Sequence, residues 1–207
     1  VSLAIAYNVW TYLWITEDQE FLDNYGAELF LEICRFWSCK AHRNGKTDCY
    51  EISGVMGPDE FHEKYPQATE GGLKNNSYTN IMVAWAFERA VNLLDRMSAE
   101  AREALREKIN LSQEELTRWK AIAGNLCVPI SEEGIIEQFE GYFDLKELDW
   151  EHYQEKYDDI HRMDRILKAE GKSPDAYKVA KQADVLMAFF LLRRETVETI
   201  LSDLGYQ

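Results

Sequence analysis

Apolar positions recur at spacings of three and four from the first residues of the chain. Leu3, Ala6, Tyr7, Trp10, Leu13 and Trp14 fall on one stripe, which predicts a helix over 2–15 packed against a neighbour. The same period continues over 18–41, with Leu29, Phe30, Ile33, Phe36 and Trp37 as candidate core and a break expected near Tyr25 and Gly26. From Thr47 to Val55 the period changes to two, and Cys49-Tyr50-Glu51-Ile52-Ser53 reads as a short strand. Helical spacing returns over 77–97 through Tyr78, Met82, Trp85, Ala86, Arg89, Ala90 and Leu93, with Asn75 or Asn76 as a candidate N-cap.

Two further helices are predicted over 98–109 and 112–127. Each opens on a serine followed by acidic residues, and Ser112-Gln113-Glu114-Glu115 has the form of a capping box. Residues 128–144 are expected to be irregular, and 145–170 mixes acidic, basic and aromatic residues without a clean stripe. Ser173-Pro174 interrupts the chain before an apolar helix over 179–192, which carries Lys181, Gln182 and Asp184 near its start. A last amphipathic helix is expected over 194–204. About seven or eight helices and two minor strand pairs make the class mainly α. One domain over 1–207 is the simplest organisation.

Composition narrows the partners. A formal charge of -14 opposes nucleic acid and anionic membrane surfaces, both of which repel an acidic face. Neutral sugars are indifferent to it. No apolar run of about eighteen residues is present, so no membrane span is expected, and no signal peptide is apparent, which points to a cytoplasmic protein. Valine stands first and the apolar pattern starts at once, as in a chain cut from something longer. Cys34, Cys39, Cys49 and Cys127 have neither C-x-x-C nor zinc-finger spacing and read as reduced, half-buried side chains.

The candidate chemistry sits in residues 54–80, GVMGPDEFHEKYPQATEGGLKNNSYTN. Gly57, Pro58, Gly71 and Gly72 argue against continuous helix. Asp59, Glu60 and Glu63 are therefore expected on an ordered loop carried by helices, with His62 among them. A carboxylic acid against aromatic walls, with a like charge beside it, is kept protonated near neutral pH. Glu60 flanked by Asp59 fits a general acid on that ground, although solvated or capping carboxylates would give the same sequence. His62 with Glu60 and Glu63 lacks a third ligand at suitable spacing, so no metal is expected. No G-x-S-x-G or cysteine nucleophile signature is present.

Four segments carry a resemblance: GVMGPDEFHE, GGLKNNSYTN, IIEQFEGYFDL and KQADVLM, in that order over residues 54–187. Together they resemble the catalytic domain of glycoside hydrolase family 65, which includes inverting phosphorylases of maltose, trehalose, kojibiose and related α-glucosides and some trehalases. The resemblance implies an (α/α)6 barrel. The helix count of this chain supplies about half of that six-hairpin toroid, so inner-helix faces are expected to be exposed and to favour self-association.

By the family pattern, Glu60 is the general acid, and Lys181 and Gln182 contact the sugar, to which an ammonium and an amide offer suitable donors and acceptors. Asp59, His62 and Asn76 are expected at the pocket, with Asp59 positioning or tuning Glu60. The implied reaction is phosphorolysis of an α-linked glucose disaccharide to β-glucose 1-phosphate and a free sugar. Inorganic phosphate is the co-substrate and no cofactor is needed. An α-glucoside hydrolase and a noncatalytic helical sugar-binding module are the alternatives.

Overall fold

A computed structural model describes residues 1–187 and residue 190. The helix expected over 194–204, and the end of that over 179–192, lie outside the described residues. The described chain is mainly helical, and its contacts divide it into two compact units. The first comprises Val1–Glu51 with Thr79–Cys127 and the second Ile52–Tyr78 with Val128–Gln207.

The first unit opens with α1 (Ser2–Thr16), α2 (Gln19–Phe21) and α3 (Ala27–Lys40). The break expected near Gly26 takes the form of a π-helical turn over Leu22–Gly26 that joins α2 to α3 without interrupting the helical path. The apolar stripe of α3 is only partly core. Phe30, Ile33 and Trp37 are buried, but Leu29 and Phe36 are 44% and 53% exposed, because the apolar surface runs wider than the face that packs on α1. Trp14 of α1 is likewise exposed, while Leu3, Ala6 and Leu13 are buried.

Most of α4 (Ser77–Arg96) belongs to this unit, and α5 (Ala99–Lys108) and α6 (Gln113–Ala123) follow it. Trp85 packs on Phe30 at 6.1 Å between ring centres, and Phe87 stacks on the fully buried Trp119 at 5.8 Å. Ser98 and Ser112 cap their helices, accepting from the N–H groups of Ala101 and Glu115 at 3.2 and 3.1 Å. Glu115 puts its carboxylate on Arg35, which grips it at 2.7 and 3.0 Å while also donating to the Ile109 carbonyl at 3.0 Å.

The cysteine expectation is corrected here. Cys49 and Cys127 form a disulfide across a sequence separation of 78, leaving Cys34 buried and Cys39 exposed as free thiols. Backbone pairing brings the two together. The Tyr50 N–H donates to the Asn125 carbonyl at 2.7 Å, and the Cys127 N–H donates to the Tyr50 carbonyl at 2.9 Å.

β1 (Ala41–Arg43) precedes β2 (Tyr50–Val55), the strand read from the alternating run. In the second unit the end of β2 pairs antiparallel with β3 (Leu73–Lys74), with an irregularity between Ser53 and Val55. Gly54 and Gly72 meet at this bulge. Gly72 has φ +102°, and a Cβ there would lie 2.5 Å from the Gly54 Cα, so the strands can close only on two glycines.

The rest of this unit is mostly irregular, as expected for 128–144, followed by the short helices α7 (Trp150–Lys156) and α8 (Met163–Ala169). Its core is Phe61, Leu148, Tyr153, Met163, Leu167 and Val179. The mixed charges of 145–170 converge on Glu170, whose carboxylate accepts from Lys156 Nζ, Lys172 Nζ, the Tyr153 hydroxyl and the Tyr157 hydroxyl at 2.5, 2.8, 2.8 and 2.9 Å. Lys156 and Lys172, followed by the two tyrosines, hold that carboxyl far below the usual range. Among the described residues no helix is long and apolar enough to cross a membrane.

Candidate active site

The site is built on the turn that follows β2, and all of it lies in the second unit. Gly57 and Pro58 turn the chain, after which burial alternates sharply. Asp59 is buried, Glu60 is exposed, and Phe61 and His62 are buried. Phe61 anchors the turn in the unit's core. With both neighbours held inside, Glu60 is turned outward in the left-handed region at φ +64°, a conformation that non-glycine residues adopt at a penalty and that concentrates at functional sites.

Opposite the turn runs the segment 181–184. It was expected as the start of a helix over 179–192, but Lys181 and Gln182 form a bend, a 3₁₀ turn over Asp184–Leu186 follows, and helical backbone is reached at Met187. Their amides are directed elsewhere. The Asp59 carboxylate accepts from the Lys181 N–H at 2.5 Å and from the Gln182 N–H at 3.2 Å. Held there, Lys181 donates from Nζ to Glu60 Oε2 at 2.9 Å, and the two side chains are 43% and 66% exposed. Glu60 and Lys181 thus meet at the surface. The Gln182 side chain donates to Asp184 Oδ1 at 3.4 Å.

Asp59, His62 and Asn76 are all buried and bond to protein groups. His62 Nε2 lies 2.9 Å from the Tyr177 carbonyl, which can only accept, so this nitrogen carries a proton. Nδ1 faces Asp59 Oδ2 at 3.4 Å. The imidazole is walled by Phe139 and Tyr142 at 5.1 and 5.7 Å between ring centres. Burial, with Asp59 and Glu147 adding to it, pushes the Tyr142 hydroxyl up to about 12. Asn76 donates to the Gln138 carbonyl at 3.1 Å, and Asn75 binds strand β2 by accepting from the Ile52 N–H at 3.1 Å.

Two residues that the sequence reading named only as part of a helix start and as a turn former complete the arrangement. Asp184 is fully buried, and its Oδ2 accepts from the Asp59 N–H at 3.0 Å. Gly57 is the second. A Cβ there would come within 2.5 Å of Asn76 Nδ2 and 2.7 Å of Asp184 Oδ2. Gly57→Ala should therefore lower the stability of this unit by about 1–3 kcal/mol through overpacking, as read by urea denaturation. The signals were present as the glycine before Pro58 and as the aspartate three residues after Lys181, but nothing local gives them a partner.

Burial, with Asp59 alongside, pushes the Asp184 carboxyl from 3.8 up to about 6. The folded protein therefore holds this proton more tightly than the unfolded chain does. The resulting stability is fully present below about pH 4 and is lost as pH rises through about 6, amounting to about 3 kcal/mol at about 1.4 kcal/mol per unit. Asp184→Asn, which cannot ionise, should gain on the wild type by about that amount between pH 4 and 8 in denaturation curves taken across the range.

Residues 1–205 match the family model described as the glycosyl hydrolase family 65 central catalytic domain. A trehalose 6-phosphate phosphorylase of Lactococcus lactis is 44% identical over 207 residues, which are 100% of this chain and 25% of that protein. An uncharacterised glycosyl hydrolase of Mycobacterium tuberculosis is 44% identical over the same 100% of this chain, there 16% of the protein. The solved structure described as a putative kojibiose phosphorylase from human microbiome superposes with a TM-score of 0.71 at 25% identity, covering 92% of this chain and 24% of that one. The chain thus spans between 16% and 25% of the length of these relatives. With the family model matched along nearly its whole length, the chain belongs to glycosyl hydrolase family 65, in whose central catalytic domain it lies.

Proposed function

We propose that the protein carrying this chain is an inverting phosphorylase of an α-glucosidic disaccharide and that Glu60 is its general acid. The observation that carries this reading is the Glu60 carboxylate itself. It is held outward at φ +64° between buried neighbours, with the Lys181 ammonium 2.9 Å away.

In the reaction, a phosphate oxygen attacks C1 from the face opposite the glycosidic bond. The bond breaks, the Glu60 proton passes to the leaving oxygen, and β-glucose 1-phosphate and a free sugar result. Phosphate is already anionic and needs no base, so one carboxylic acid suffices. The ammonium of Lys181 then faces the carboxylate that proton transfer leaves behind, and with Gln182 it offers hydrogen bonds to sugar hydroxyls. In this reading the helices form part of an (α/α)6 barrel, supported by the likeness to a putative kojibiose phosphorylase. The relative from Lactococcus lactis adds a phosphorylated disaccharide to the candidate substrates.

The test is phosphate-dependent cleavage of maltose, trehalose, kojibiose, nigerose and trehalose 6-phosphate by the full-length protein, scoring the anomer of the glucose 1-phosphate formed. The β anomer is expected. Free glucose made equally well without phosphate would reassign the protein as a hydrolase, and no product from any of them would leave a noncatalytic sugar-binding module.

A further inference from the structure

Two segments far apart in sequence hold each other through a reciprocal pair of buried aspartates. Asp59 takes the backbone N–H groups of Lys181 and Gln182, and Asp184 takes the backbone N–H of Asp59. Asp59 and Asp184 are 2% and 0% exposed. The nearby ammonium of Lys181 is bonded to Glu60.

Stability alone gives no reason for this arrangement. Like charges buried side by side raise the energy of the folded state, and apolar residues of similar volume commonly serve stability better. Geometry gives one. The Asp59 N–H belongs to the peptide group between Pro58 and Asp59, so its bond to Asp184 fixes the backbone on the N-terminal side of Asp59, the residue from which the chain turns Glu60 outward. The Asp59 carboxylate in turn fixes the amide of Lys181 and so the base of the side chain that reaches Glu60. Gly57 leaves the room this requires, since any Cβ there would meet Asp184 at 2.7 Å.

We propose that Asp184 is a positioning residue for proton transfer, acting through Asp59 to hold the Glu60 carboxyl and the Lys181 ammonium in register. The inference rests on the reading of Glu60 as general acid. It touches no substrate atom itself. Its loss should therefore weaken only the step in which Glu60 gives up its proton.

The experiment compares two substrates of the full-length protein: the disaccharide it cleaves, whose leaving oxygen needs a proton, and α-glucosyl fluoride, whose fluoride departs without one as phosphate attacks C1. Glu60→Gln should lose turnover on the disaccharide and keep it on the fluoride. Asp184→Ala should follow, with kcat down about 100-fold on the disaccharide and within about threefold of wild type on the fluoride. Asp184→Asn, whose amide oxygen can still accept from the Asp59 N–H, should restore most of the disaccharide rate.

Equal losses on both substrates in Asp184→Ala, or no loss on either, would overturn the positioning role while leaving Glu60 in place. A Glu60→Gln variant without the split would overturn the general-acid reading, and this inference with it. If Asp184→Ala does not fold, Asp184→Ser, one atom too short to reach the same N–H, takes its place with the same two outcomes.

Discussion

Replacing Glu60 by Gln should lower kcat for disaccharide phosphorolysis by about 1,000-fold, close to 4 kcal/mol of transition-state stabilisation, while KM stays within a few-fold of wild type. The substitution keeps the shape of the side chain and, through its amide oxygen, an acceptor for the Lys181 ammonium at 2.9 Å. What it removes is the transferable proton. Because the side chain is 66% exposed and makes an ion pair at the surface, its contribution to folding is small, and the thermal midpoint should hardly move. Initial rates against disaccharide concentration, beside a thermal melt, check both halves. A variant that lost activity together with its melting transition would assign Glu60 to the scaffold instead.

The parts of this site legible from sequence are those whose causes are local. Gly57 and Pro58 announce a turn, Ser98 and Ser112 announce helix starts, and both caps form as expected. The period-two run before the turn becomes β2. Where the reading failed, a distant partner had decided the outcome. Apolar spacing alone favours a helix from Val179. The N–H groups of Lys181 and Gln182 are taken instead by a carboxylate more than a hundred residues earlier, at sequence separations of 122 and 123. Asp184 stands at a separation of 125 from the amide it binds, which no pattern of spacing encodes. Leu29 and Phe36 show the converse. Their periodicity marks them as apolar, but only the position of neighbouring elements settles which apolar residues become core.

The disulfide belongs to the same class, and its removal should have an effect as large as any in the fold. Cys49 and Cys127 close a loop with a sequence separation of 78. In the chain-entropy model, that restricts the unfolded chain by about 4.5 kcal/mol. Treatment with a thiol reductant should therefore shift the urea midpoint of the first unit downward by the equivalent of up to that amount. The Cys49→Ser/Cys127→Ser double variant should match the reduced wild type and show no further response.

Folding of the reduced form is expected to survive. The backbone bonds between Tyr50 and Asn125 and between Cys127 and Tyr50, at 2.7 and 2.9 Å, do not depend on the sulfurs. Thiol titration of the unreduced, denatured protein gives an independent check. Two reactive groups are expected, from Cys34 and Cys39, of which only the exposed Cys39 should react before denaturation. Burial raises the Cys34 thiol well above its ordinary range and adds to its inertness in the folded state. Four titrating thiols, with a midpoint indifferent to reductant, would return all the cysteines to the reduced state first expected from their spacing.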